Sequence, residues 1–177
     1  MHLKAKIYHG DNLDLSGNKI ERKAVRGIIR KDNEFLMIYS PVNGDYKFPG
    51  GGVEKRESHK DALTREIEEE CGLRKSFVGN EWGKIIEYSI AKEDGFDLFE
   101  MTSYYYECFV SDVYYSQNLD EYEKKLQFTP RWVNLDKAIE VNKRILEKGN
   151  PPRWTERDTK TLIILKEELN NAVISKR

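Results

Sequence analysis

Cysteine is scarce in this chain: Cys71 and Cys108 are the only two among 177 residues, both in apolar-looking segments. Two thiols cannot make a disulfide framework, and with three scattered histidines they do not make a Cys/His zinc site either. A reducing compartment, the cytoplasm, suits them best. Long apolar runs are also lacking. No stretch approaches the ~20 residues of a membrane span, and the N-terminal "MHLKAKIYHGDNLDLSGNKIERK" holds no run long enough for a signal peptide. The chain therefore reads as soluble, with no membrane partner. Charge of one sign is missing too. The 30 basic and 31 acidic residues leave a net charge of −1, without a polybasic tail or long single-sign block, so the electrostatic footprint of a nucleic-acid binder is absent and nucleic acid is an unlikely partner. No G-x-S-x-G occurs to present a nucleophilic serine.

What remains is enough for a globular core. Hydrophobic residues are 38% of the chain and aromatics 11%, and the length fits one domain over residues 1–177 better than two. Residues 1–20 read as an N-terminal arm with a short strand at "LKAKIY", closed by the turn signal "LSGN". "KAVRGIIRKDNEFLMIYS" reads as a hairpin around "KDNE". "PVNGDYKFPGGG" is a glycine-rich loop. Ser58 with Asp61 opens a helix from about His59 to Cys71, and Gly72 stops it. Strands follow at "WGKIIEYSIA", "FEMTSYYYECFV" and "QFTPRWV", then a short helix at "LDKAIEVNKRIL" with Leu135, Ala138, Ile139 and Ile145 or Leu146 on one face. After "GNPPRW", Thr155 with Asp158 starts a last helix, about 155–172, carrying Leu162, Leu165 and Leu169. Strands outnumber helices without regular alternation, which favours an α+β arrangement, a mixed sheet flanked by helices, over a doubly wound parallel sheet.

One segment resists a purely structural explanation. Four of the five positions from 66 to 70 are glutamate, and like charges three and four apart on a helix repel, at a cost of roughly 0.5–1 kcal/mol. At about 100° per residue, Leu63, Ile67 and Cys71 form the stripe that faces the sheet. Glu70 falls almost on that stripe, with Glu66 and Glu69 on its flank, whereas Glu68 points to water. Carboxylates converging at a half-buried edge call for cations. Arg65 points away and stands in the less favourable order relative to Glu69, so it cannot meet that demand alone. Hard oxygens gathered in this way suit Mg2+ or Mn2+, which keep waters and substrate phosphates in their remaining positions. The preceding "FPGGG" can bring its carbonyls to a metal or its N–H groups to phosphate oxygens.

The spacing is more specific than the charge. Gly51, five residues, Glu57, seven residues, Arg65-Glu66-Ile67, one residue, Glu69-Glu70, one residue, Gly72-Leu73 is a complete Nudix box, and in this the chain resembles a Nudix hydrolase of the MutT-like kind. Nine specified positions would coincide by chance on the order of once in ten million chains. Arg56 stands where many members have glycine, at a free position of the pattern.

The resemblance implies a mixed sheet sandwiched between helices, with the box as loop–helix–loop. It implies that Glu66, Glu69 and Glu70 are the metal-binding or base carboxylates, with the Gly50 carbonyl as a further ligand, and that Glu57 and Arg65 pair to hold the loop against the helix. The implied reaction is attack of water on a phosphorus of a nucleoside diphosphate derivative, with Mg2+ or Mn2+ as cofactor and a small nucleotide-like molecule as substrate. Many members are dimers, so a homodimer is admissible. The general base is Glu66 or a glutamate from a later loop, Glu121 or Glu123, although "LDEYEKK" is equally an ordinary solvated loop. Relatives that cleave ADP-ribose often carry a proline past the box, whereas here none occurs between Pro49 and Pro130. Tyr88 stands near where dinucleoside-polyphosphate hydrolases often have a tyrosine, Tyr104, Tyr105, Tyr106, Trp132 and Trp154 could stack a base, and Arg22, Arg26 and Arg153 could hold phosphates. Core packing and surface solvation are the commoner roles for each. The competing function is a catalytically silent Nudix-fold nucleotide-binding or regulatory protein, but such relatives typically lose box carboxylates and this chain keeps them all.

Overall fold

Residues adjacent in sequence part company in space. Ile28, Phe35, Met37 and Tyr105 pack into one apolar cluster, and their neighbours Ile29, Leu36, Ile38 and Tyr106 into another. A strand buried on both faces produces this period of two, so the core lies in two layers with a sheet between them. A computed structural model describes residues 3–174 of the chain. Its strands are β1 (Leu3–His9), β2 (Lys19–Lys31), β3 (Glu34–Ser40), β4 (Asp45–Lys47), β5 (Ser76–Ile90), β6 (Leu98–Val110) and β7 (Thr129–Asn134). The helices are α1 (His59–Cys71), α2 (Glu121–Lys125), α3 (Leu135–Glu147) and α4 (Arg153–Ile174). The strands run in the order β1-β5-β6-β2-β3-β4, with β7 also paired to β3. The β1/β5 and β2/β6 pairs are parallel and the other pairs antiparallel. The expected mixed sheet with flanking helices is therefore the fold adopted. Among the described residues no helix is long and apolar enough to cross a membrane.

Local chemistry accounts for the elements that place the site. β2 and β3 turn through Asp32-Asn33, and Asp32 takes the left-handed conformation (φ 55°) that a short polar side chain tolerates. The Ser58 side chain caps α1 by accepting from the Asp61 N–H, and Gly72 (φ 70°) ends the helix by donating to the Glu68 carbonyl. α1 buries Ala62, Leu63, Ile67 and Cys71 against one layer. Cys71 and Cys108 are free and buried there, and burial pushes the Cys108 thiol up to about 12, so both serve as core residues.

Four expectations change. The loop read at "PVNGDYKFPGGG" contains β4, and "LDEYEKK" contains α2, a single exposed turn held by a capping box between Asp120 and Glu123. α3 buries Asn142 rather than Ile145 or Leu146, because its amide accepts from the Tyr46 N–H (2.8 Å) and donates to the Tyr46 carbonyl (2.9 Å), completing the backbone pairing of β4. Thr155 and Asp158 do not cap α4. The helix starts at Arg153, and both side chains are 0% exposed inside it. Thr155 donates to Asp45 (2.7 Å), while Asp158 accepts from the Phe48 N–H (3.1 Å), the Tyr105 hydroxyl (2.9 Å) and Arg157 Nε (2.9 Å). Two buried polar residues three apart give the same sequence signature as a cap. Asp158→Ala should lower the unfolding free energy by about 3–5 kcal/mol in denaturant titrations, since it leaves the buried Phe48 N–H and Tyr105 hydroxyl without this acceptor and takes from buried Arg157 one of its two carboxylates. A loss below 1 kcal/mol would contradict that network.

Candidate active site

The glycine-rich loop is sewn to the middle of β2. Gly27 donates to the Pro49 carbonyl (2.8 Å), Val25 to that of Gly51 (2.9 Å) and Val53 to that of Lys23 (3.0 Å). Gly50 has φ +134°, and a Cβ there would fall 2.1 Å from the Val25 carbonyl oxygen, so no other residue fits. This close approach aims the Gly50 N–H at Glu70 Oε2, 2.7 Å away. Its carbonyl takes hydrogen bonds from Arg26 and from Lys47. Arg56, in the same loop, is also left-handed (φ 71°), which gives a physical reason for the glycine many members have there.

The α1 carboxylates sit in three environments. Glu70 is 0% exposed, Glu66 is 8% exposed, and the Glu69 side chain is 34% exposed at the rim. Arg65 reaches further than its helical angle suggests. It donates from Nε and Nη2 to both oxygens of Glu57 (3.0 Å each), from Nη1 to Glu66 (2.8 Å) and Glu69 (3.1 Å), and from Nη2 to the Gly52 carbonyl (3.2 Å). Glu70 has a different partner, one that sequence reasoning missed: Lys47, from β4, pairs with it while its ammonium lies 4.8 Å from the centre of the Phe128 ring. Nothing local in "DYKFPGG" marks Lys47 as a counterion, because only the fold brings β4 over α1.

Glu123 joins them. Glu66, Glu70 and Glu123 each offer a carboxylate oxygen, all within 4.8 Å of one another. Glu121 does not join, being exposed and paired with Lys124 (2.9 Å). Burial, then the charge of Glu70, raises the Glu66 carboxyl above the usual range, and the same two causes push Glu123 up to about 7. Arg65 holds Glu57 below its usual value. A carboxyl raised by folding holds its proton in the folded chain between the unfolded value of 4.5 and about 7. Over that window the folded state binds more protons than the unfolded one, so stability falls as pH rises. The thermal midpoint in EDTA should therefore drop from pH 5 to pH 7.5, and Mg2+ should remove most of the drop; a midpoint that rises over this range would refute the clustering of these carboxyls.

Glu66, Glu69 and Glu123 open onto a cleft of about 980 Å3 lined also by Arg22, Arg26 and Trp154, with Glu70 buried behind them. Most other aromatic candidates lie elsewhere. Tyr88 stacks on Tyr8 (5.2 Å between ring centres), Tyr105 is in the core, Tyr104 and Tyr106 pack on His59, and Trp132 donates to Tyr114. The donor set is right for a hard divalent ion: three carboxylates and one backbone carbonyl, all oxygen, with no sulfur or imidazole among them.

A family model described as NUDIX domain matches residues 21–155, most of the chain. The chain belongs to the Nudix family. An ADP-ribose pyrophosphatase of Methanocaldococcus jannaschii is 49% identical over 53 residues, 28% of this chain and 31% of that protein. An uncharacterized Nudix hydrolase of Bacillus subtilis, YvcI, is 31% identical over 102 residues, 57% of this chain and 61% of its own length. The chain thus spans under two thirds of either curated relative. Among solved structures, the MutT protein of Methanosarcina mazei shares the Nudix fold with a TM-score of 0.54 at 19% identity, covering 84% of this chain and 96% of that one.

Proposed function

We propose that residues 1–177 form a single Nudix hydrolase domain that splits the diphosphate linkage of a nucleoside diphosphate derivative by attack of water on phosphorus, in the cytoplasm and with Mg2+ or Mn2+ as cofactor. The observation that carries this reading is the convergence of Glu66, Glu70 and Glu123 within 4.8 Å at one wall of a cleft large enough for a nucleotide. Glu66 and Glu70, with the Gly50 carbonyl, would hold the metal, and Glu69 would reach it from the rim. Once bound, the metal would neutralise phosphate oxygens and ease deprotonation of the attacking water. Glu123 is the base: its carboxyl sits close to the cluster without being buried inside it, and a group that titrates near neutrality is matched to taking a proton from water. Arg22 and Arg26, on the same cleft, supply charge for phosphate oxygens. Arg65 and Glu57 act as positioning residues, tying the glycine loop to α1.

The test is phosphate release, with a coupled phosphatase where needed, from nucleoside triphosphates, nucleotide sugars, ADP-ribose and dinucleoside polyphosphates in Mg2+, Mn2+ or EDTA. Release from one class that disappears in EDTA is the expected result. Silence across the panel, in a protein that binds metal, would transfer the reading to a nucleotide-binding protein without turnover.

A further inference from the structure

A smaller pocket of about 180 Å3 opens beside the cleft and shares Arg26, Met101 and Trp154 with it. Phe99, Met101 and Trp154 give it apolar walls, while Ser89, Glu87 and Arg153 give it a polar end. The carboxylate there is already committed. Glu87 accepts from His9 with one oxygen (3.1 Å) and from Arg157 with the other (3.1 Å), and Arg157 is further tied to Asp158. His9 turns its other ring nitrogen toward Glu156 (3.7 Å), and the unspent polar groups are donors. Arg153 uses one N–H on Ser89 Oγ (2.8 Å) and, among the described residues, makes no ion pair; Ser89 accepts that bond and keeps its own hydrogen to donate. Arg26 is 8% exposed, yet its Nε has no hydrogen-bond partner among the described residues. That nitrogen is closed to solvent, so Arg26 bears on the pocket through its charge at the junction of the two cavities rather than through a free N–H.

We propose that this pocket is the specificity site for the nucleoside part of the substrate and takes a ring that presents carbonyl oxygens, an oxo base rather than an amino base. This rests on the cleft being the substrate site. Apolar walls suit a planar ring and disfavour a second phosphate, which would lose its hydration against them. A donor-only edge pairs with the ring carbonyls of uracil or hypoxanthine. Against cytosine or adenine, the exocyclic amino group would meet donors with another donor, leaving both unpaired. Arg153 and Ser89 read the carbonyl and Arg26 backs them from the cleft side.

The test is calorimetric binding in EDTA of two matched pairs, UMP against CMP and IMP against AMP, in which a ring carbonyl is exchanged for an amino group. The oxo member of each pair should bind about tenfold more tightly. Arg153→Met should bring both ratios close to one without changing the melting temperature, because Arg153 is exposed. Ser89→Ala should lower the ratios part of the way. Ratios within twofold in the unaltered protein, a preference for the amino members, no binding at millimolar nucleotide, or ratios unchanged by Arg153→Met would each overturn the proposal. Discrimination without phosphate release would leave the pocket standing and remove the hydrolase reading, whereas release without discrimination would do the reverse.

Discussion

Glu70→Gln should reduce phosphate release about a thousandfold or more and, in the same protein without metal, lower the unfolding free energy by about 3 kcal/mol. The first effect follows from the proposed metal site. The second reverses what the sequence suggests, since removing one of four crowded glutamates ought to relieve repulsion and leave the fold intact or slightly firmer. Each of the four glutamates already has a cation beside it. Arg65 gathers Glu57, Glu66 and Glu69, and Lys47 takes Glu70 alone. The Lys47 side chain is only 10% exposed and Glu70 is fully buried. A glutamine at position 70 could still accept from the Gly50 N–H, but it would leave the ammonium of Lys47 buried without its counterion.

A second substitution separates the two consequences. Lys47→Met on the Glu70→Gln background should restore most of the lost stability, because an apolar side chain packs against Phe128 without a charge to bury. It should restore none of the activity, since the missing ligand oxygen does not return. If urea titrations find Glu70→Gln as stable as the unaltered chain, Lys47 is not the counterion that holds Glu70 in place.

These two residues also mark how far the sequence could be read. The α1 helix was legible in full because everything that defines it is local: a serine cap, a glycine stop, an apolar stripe and a fixed carboxylate spacing. The mixed sheet followed from the order of strand and helix patterns. Lys47 was not legible, because its role depends on β4 crossing the Glu70 end of α1, and three residues of strand inside a glycine-rich segment carry almost no periodic signal. Asn142 goes unmarked and Asp158 reads as a cap for a related reason. Each is a polar residue on a helix face that pairs with backbone or buried donors, and sequence pattern assigns such residues to caps or to solvent. Trp154 stood among six aromatic candidates with nothing to distinguish it. The fold separates it from the others by putting it at the start of α4, where its indole N–H is fixed on Asp45 (2.7 Å) and its ring lines both the cleft and the side pocket.

Glu123→Gln should give the opposite stability sign to Glu70→Gln while also removing most of the activity. Glu123 has no counterion of its own in the cluster; burial and the Glu70 charge are what raise its carboxyl to about 7. Replacing it with a neutral amide takes away that cost, so the metal-free protein should melt higher than the unaltered chain at pH 8, by a margin that shrinks as pH falls and vanishes below 4.5, where the carboxyl is protonated in both states. The capping box survives, since glutamine can accept from the Asp120 N–H in the same way (2.9 Å for Glu123). Phosphate release should fall by about 10²–10⁴ as expected for loss of a general base. A bound dication draws a nearby carboxyl down, so the acid limb of the pH–rate profile in Mg2+ should lie below 7, and that limb should vanish in the variant. The Mg2+ concentration that half-saturates the rise in melting temperature separates base from ligand: it stays within about threefold if Glu123 only takes the proton, and shifts tenfold or more if Glu123 binds the metal.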